Sequence, residues 1–77
     1  MKYIVFEDFS GQELPVLFPD RIGHGEMRAQ IPYSKIISAG FVEINKSRIS
    51  CSGGSKSLGV EFRPEDSETI ATHLEPS

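Results

Sequence analysis

Residues 36–62 alternate short apolar and polar stretches around two turn dipeptides, Asn45-Lys46 and Gly53-Gly54. A period of two, bounded by residues that tolerate tight turns, specifies antiparallel strands. A two-residue turn at Asn45-Lys46 sets Val42 opposite Ile49, Glu43 opposite Arg48 and Gly40 opposite Cys51. One apolar pair and one opposite-charge pair then fall into register together. A second turn at Gly53-Gly54 sets Ile49 opposite Leu58, Ser50 opposite Ser57 and Ser47 opposite Val60. Leu58, Val60 and Phe62 share one apolar face in that arrangement. The expectation is a three-stranded meander, with two glycines because a primed turn requires positive φ at both central positions. Lys56 falls on the face of Ile49 and Cys51, and its ammonium must reach out at the sheet margin.

Before this region, KYIVFE at residues 2–7 and ELPVLF at residues 13–18 predict two more strands. A turn at Ser10-Gly11 joins them, with Val5 opposite Val16 and Ile4 opposite Leu17. Pro15 cannot donate to a ladder, so the second strand belongs at a sheet edge. Residues 24–31 predict a short helix with Met27 and Ile31 on one face, closed by Pro32. After Arg63, Pro64 suits a first helical turn, and Glu65, Asp66 and Glu68 complement the positive end of the dipole. Ser67, Ile70, Ala71 and Leu74 form the apolar stripe of a helix over about eleven residues. The expected fold is α+β in the order β-β-α-β-β-β-α: one small antiparallel sheet with helix packed on one face.

With 77 residues, the chain is expected to form a single domain over 1–77. A core this small favours a binding surface over an enclosed active site, which argues against an enzyme. The single cysteine, Cys51, permits no internal disulfide, and neither a signal peptide nor a membrane span is legible. A cytoplasmic location is therefore expected, with no membrane partner. The net charge is −3, with residues 1–60 at +1 and residues 61–77 at −4. No basic stripe runs along the chain, so nucleic acid is not the expected partner.

His24, His73 and Cys51 each stand alone in the sequence, so no metal is expected. No cofactor is expected either. Cys51, on the meander's apolar face, reads as a small buried hydrophobe rather than a nucleophile. Two surfaces are candidates for function. Leu14, Val16, Leu17 and Phe18 are apolar on both faces of an edge strand. Either a helix covers the second face, or the patch meets a partner or a second copy of this chain. Gly53, Gly54, Ser55 and Lys56 form the other candidate, a glycine-rich turn with a lysine near backbone amides. A P-loop requires its lysine directly after the last glycine, between a strand and a helix. This sequence meets neither condition, which favours a plain turn over an anion site.

The phrases SAGFVEI, SRISCSGGSKSLG and RPEDSETIATHL, with KYIVFED and PVLFP before them, resemble small proteins encoded by tailed phages and prophages. The likeness spans most of the chain without a defined motif, and carries over no catalytic residues. It implies an accessory protein that binds and modulates or inhibits a host protein, including one of immune defence. The expected function is accordingly non-enzymatic binding of a host or phage protein, with homo-oligomerisation open. The alternative is a protein that sequesters a small anionic nucleotide at residues 53–56.

Overall fold

A strand whose every inner residue is apolar needs cover on both faces, and β1 (Lys2–Glu7) is that strand. The computed structural model describes residues 1–31, 35–46 and 48–74. In it Tyr3, Ile4, Val5 and Phe6 are all buried. β1 lies between β2 (Glu13–Phe18) and β3 (Lys35–Asn45), and β4 (Arg48–Ser52) pairs with the far side of β3. This four-stranded antiparallel sheet has the order β2-β1-β3-β4. The fold class is α+β, as the sequence implies.

Each face of the sheet has its own core. Tyr3, Val5 and Val42 pack with Ile70 of helix α2 (Asp66–Leu74), and Leu17, Ile37, Ile49 and Cys51 complete that layer. Ile4, Phe6, Phe18 and Ala39 form the opposite layer. Helix α1 (His24–Gln30) covers it with Met27, and Ile31 follows one turn later, as the spacing predicts. Leu58 and Val60 close the same face. The expected closure at Pro32 lies outside the described residues.

Three pairings differ from expectation. β1 and β2 join through the loop 9–11, not a two-residue turn, so Ile4 faces Val16 and Val5 faces Pro15. Asp8 sets this loop: its Oδ1 accepts from the Ser10 amide, the Ser10 hydroxyl and the Gln12 amide at 2.7–2.9 Å. Both faces of this hairpin are apolar, so alternation carries no register information there and the turn decides.

The β3–β4 register slips by two residues. Val42 faces Cys51, Ile44 faces Ile49, and Glu43 faces Ser50 rather than Arg48. Two apolar cross-strand pairs replace one, and an exposed ion pair worth a few tenths of a kcal/mol does not hold the alternative. Lys46, not Asn45, takes the left-handed conformation, at φ 57°. Since the slip is even, every side chain keeps its predicted face.

The third difference is the largest. The strand expected after Gly53-Gly54 does not extend the main sheet. β5 (Gly54–Ser55) and β6 (Val60–Glu61) make a separate two-stranded ribbon around the turn at 56–59, and Val60 pairs with Ser55. The predicted partner Ser47 lies outside the described residues. Of the two turn glycines only Gly53 has positive φ, at 73°. It is a corner where the chain leaves β4, and the ribbon beyond it delivers Leu58 and Val60 to the α1 side.

Candidate binding surface

The Gly53 corner brings together side chains that are distant in sequence. A Cβ at Gly53 would stand 2.9 Å from the Phe41 ring, so that ring lies directly on the corner. The Gly53 carbonyl accepts from the Phe62 amide at 3.0 Å, which places Phe62 beside it. Phe41 and Phe62 remain 42% and 38% exposed. Phe41 is also held from behind by the buried His24 ring, edge-on at 5.8 Å between centroids. His24 in turn donates from Nε2 to the Gly40 carbonyl at 3.0 Å and packs edge-on against Phe18. One exposed aromatic is thus fixed by a glycine and a buried histidine before any partner arrives.

Gly53, Gly54, Ser55 and Lys56 line an open cleft of about 570 Å³ with Gly59, Val60, Glu61 and Phe62; Phe41 lies on the other side of the corner. The four residues singled out from the sequence do share one concave surface. Their chemistry differs from a phosphate cradle. The Ser55 hydroxyl is engaged in the turn, accepting from the Leu58 amide at 3.3 Å and meeting the Ser57 hydroxyl at 3.1 Å. Gly54 is a strand residue against which the Val60 and Glu61 backbone closes, about 3 Å from where a Cβ would stand. Glu61 brings a carboxylate to the same cleft. Lys56 is exposed in the turn rather than sharing a face with Ile49 and Cys51, because the ribbon has left that sheet.

The other candidate surface is partly covered. Phe18 is buried, Val16 packs with it on the α1 side, and Leu17 packs on the α2 side. Leu14 is half-buried. Leu14, Val16, Leu17 and Phe18 thus form no fully exposed patch: Phe18 is buried, while Leu14, Val16 and Leu17 stay partly exposed.

A buried polar network, unforeseen in the sequence, lies under α2. Asp66 is 0% exposed and accepts from the Tyr3 hydroxyl, the Arg63 amide and the Arg63 guanidinium, the last two at 2.8 Å. Arg63 also grips Glu13 of β2 with both terminal nitrogens, at 2.8 and 3.2 Å. Burial opposes charge on Asp66, but the bonds from Tyr3 and Arg63 outweigh it and hold its pKa below the ordinary value. The Ser38 hydroxyl does not itself reach bonding geometry with any described group. Arg63 holds the Glu13 carboxyl low, and that pairing raises the Arg63 pKa further. Burial, then Asp66, pushes the Tyr3 hydroxyl far above its usual range.

Cys51 borders this network. It faces Val42 rather than Gly40, and burial raises its thiol pKa, which keeps it in the unreactive protonated form. The network is a clamp: Arg63 is shared between Asp66 and Glu13, and α2 is tied to β1 and β2. Sequence offers two traces of it. A tyrosine inside an apolar strand needs a partner for its hydroxyl, and Arg63 stands three residues before an aspartate.

A groove of about 700 Å³ separates β2 from α2, and Glu13, Glu65, Glu68 and His73 line it. No group of three or more metal-ligating side chains forms among the described residues, and no helix there is long and apolar enough to cross a membrane. No protein-family model matches the chain, and no curated protein or solved structure matches it either.

Proposed function

We propose that this protein is a non-catalytic binding module that engages another protein through Phe41, Phe62 and the adjoining cleft. The observation that carries the reading is the cleft that sets the exposed Phe62 beside the opposite charges of Lys56 and Glu61, with a second exposed ring, Phe41, fixed by Gly53 and His24 on the other side of the corner. Interfaces concentrate energy in such preorganised aromatic anchors, with charges at the rim. The resemblance to phage-encoded proteins makes a host or phage protein the partner class, and modulation or inhibition of that protein the role.

The test compares wild type with Phe62→Ser and Phe41→Ser in affinity capture from host cells, beside melting curves. Each substitution is expected to weaken capture of one specific protein by about thirtyfold or more, the scale of a hot-spot residue. Equal capture by folded variants overturns the reading.

One observation favours a second reading, the small anionic nucleotide. Gly53, Gly54, Ser55 and Lys56 line a single cleft, and Phe62 offers a face for a base. Glu61 and the engaged Ser55 hydroxyl weigh against it. Calorimetry with nucleoside monophosphates separates the two, and heat lost on Lys56→Gln supports the nucleotide.

A further inference from the structure

The two free edges of the main sheet are built differently. Asp8 donates from its amide to the Gln12 carbonyl at 3.0 Å. In the register of the hairpin, Leu14, Val16 and Phe18 therefore turn their backbone groups toward β1. Pro15 then sits at an outward-facing backbone position, where its missing N–H leaves a gap in the row of unpaired groups. Proline at such a place blocks the addition of another strand.

At the β4 edge the direction follows from the other side. Val42 donates to the Met1 carbonyl at 2.7 Å, so its backbone points toward β1. Phe41, Glu43 and Asn45 then point at β4, and their partners Ser52, Ser50 and Arg48 point back. The amides and carbonyls of Ile49 and Cys51 are left facing off the sheet. Nothing among the described residues bonds them, and no proline interrupts them.

We propose that β4 pairs with β4 of a second copy of this chain, antiparallel about Ser50, to form a continuous eight-stranded sheet. Only outward-facing residues can make bonded pairs. A two-fold axis at Ser50 sets Ile49 opposite the partner's Cys51 and Cys51 opposite the partner's Ile49, which gives four backbone hydrogen bonds. Axes at Ile49 or Cys51 give only one self-pair within the strand. The same register places Arg48 opposite the partner's Ser52, so no like charges meet. It also joins two half-buried apolar side chains from each copy on the α2 face. A closed two-fold pairing of this kind uses one patch on both copies and leaves no further edge to extend, apart from the proline-bearing β2.

Ser50 decides the matter, because it is exposed and carries no core contact. In this register it meets its own copy in a non-hydrogen-bonded pair, about 4.5 Å between Cα atoms, within disulfide reach. Ser50→Cys in a Cys51→Ser background is expected to cross-link under mild oxidation. Ser57→Cys in the same background is the exposed control, and at least tenfold slower cross-linking is expected there. Wild-type mass in sedimentation equilibrium should rise with concentration toward, or already stand at, twice that of one chain. Ser50→Lys should weaken association about fivefold or more by setting like charges opposite each other, without lowering the melting temperature. A wild-type mass that stays at the monomer value at every concentration overturns the pairing. So does a Ser50→Cys variant that cross-links no faster than the Ser57→Cys control, and so does a folded Ser50→Lys protein that associates like wild type.

Discussion

The clamp at Asp66 and the corner at Gly53 are both irregular points of a small fold, and they resolve their polar groups in opposite ways. At the clamp, a carboxylate with no solvent contact is bonded by Tyr3 and Arg63, and Arg63 is shared with Glu13. At the corner, Phe41 and Phe62 stay substantially exposed, Phe62 in a cleft with a lysine and a glutamate that face water. A buried charge persists only where its bonds are complete, so the clamp has little left to offer a ligand. Exposed aromatic surface has the reverse character: it gains by being covered. Perturbed titration marks the structural region here, and unspent apolar surface marks the candidate functional one.

The largest effect should come from breaking the clamp. Asp66→Ala is expected to cost about 3–5 kcal/mol in urea denaturation, since it strips a partner from Tyr3 and from a half-buried guanidinium. Asp66→Asn should cost less. If Asp66→Ala costs no more than a surface substitution, the clamp is not what fixes α2. Its titration gives an independent check. Asp66 and Glu13 have folded pKa values below their ordinary 3.8 and 4.5, so their stabilisation is complete above that range. It is lost as the pH falls through the depressed folded values. Tyr3 acts at the other limit: its folded pKa is raised, so its contribution is intact below pH 10 and declines as the pH climbs from there. Asp66→Asn should flatten the acid limb of stability against pH, while Phe62→Ser leaves it unchanged.

Next in size is the apolar contact of α2. Ile70 is fully buried, whereas Leu74 is 48% exposed. Ile70→Ala should cost about 2–5 kcal/mol and Leu74→Ala about 1 or less. The sequence places both on one stripe and cannot rank them, because Leu74 lies at the helix end where cover runs out.

How far the sequence reaches can be judged residue by residue. β1, β2, α1 and α2 follow from apolar period and turn residues, and Pro15 marks an edge as expected. Registers did not follow. Alternation states which face a residue takes, and β3–β4 kept its faces while slipping by two. In the β1–β2 hairpin, apolar on both sides, only the side-chain bonds of Asp8 fix the alignment. Gly53-Gly54 misled because a glycine pair serves a primed turn, a corner or a close backbone approach equally well. The cleft depends on that corner, so neither the place of Phe62 beside Lys56 and Glu61 nor the seating of Phe41 on Gly53 is legible in the sequence. The clamp requires Tyr3 and Asp66 to meet across the length of the chain, which no local pattern encodes.

Gly53→Ala probes both regions at an intermediate scale. A left-handed φ costs a side chain about 1–2 kcal/mol, and the new methyl would also displace the Phe41 ring. Stability and partner capture should fall together in this variant, whereas Phe62→Ser should lower capture with a stability change of about 1 kcal/mol or less. Intact capture in Gly53→Ala would mean that the fixed position of Phe41 is irrelevant to binding.

The smallest expected effect is at Lys56. Its side chain is exposed, lies in the turn at 56–59, and forms no ion pair among the described residues. Lys56→Gln should change stability by no more than about 0.5 kcal/mol, as for other surface substitutions away from special features. Its value lies in what it does to binding. An aromatic anchor with a charged rim predicts a change in association rate and salt dependence, with modest loss of affinity. A phosphate held by Lys56 predicts a loss of at least about tenfold in nucleotide affinity, roughly 1.4 kcal/mol, the scale of a charge-assisted hydrogen bond. Stopped-flow association with the captured partner, beside calorimetry with nucleotides, reads the two quantities on the same variant. The expected result is slower association that converges with wild type at high salt, and no nucleotide heat in either protein.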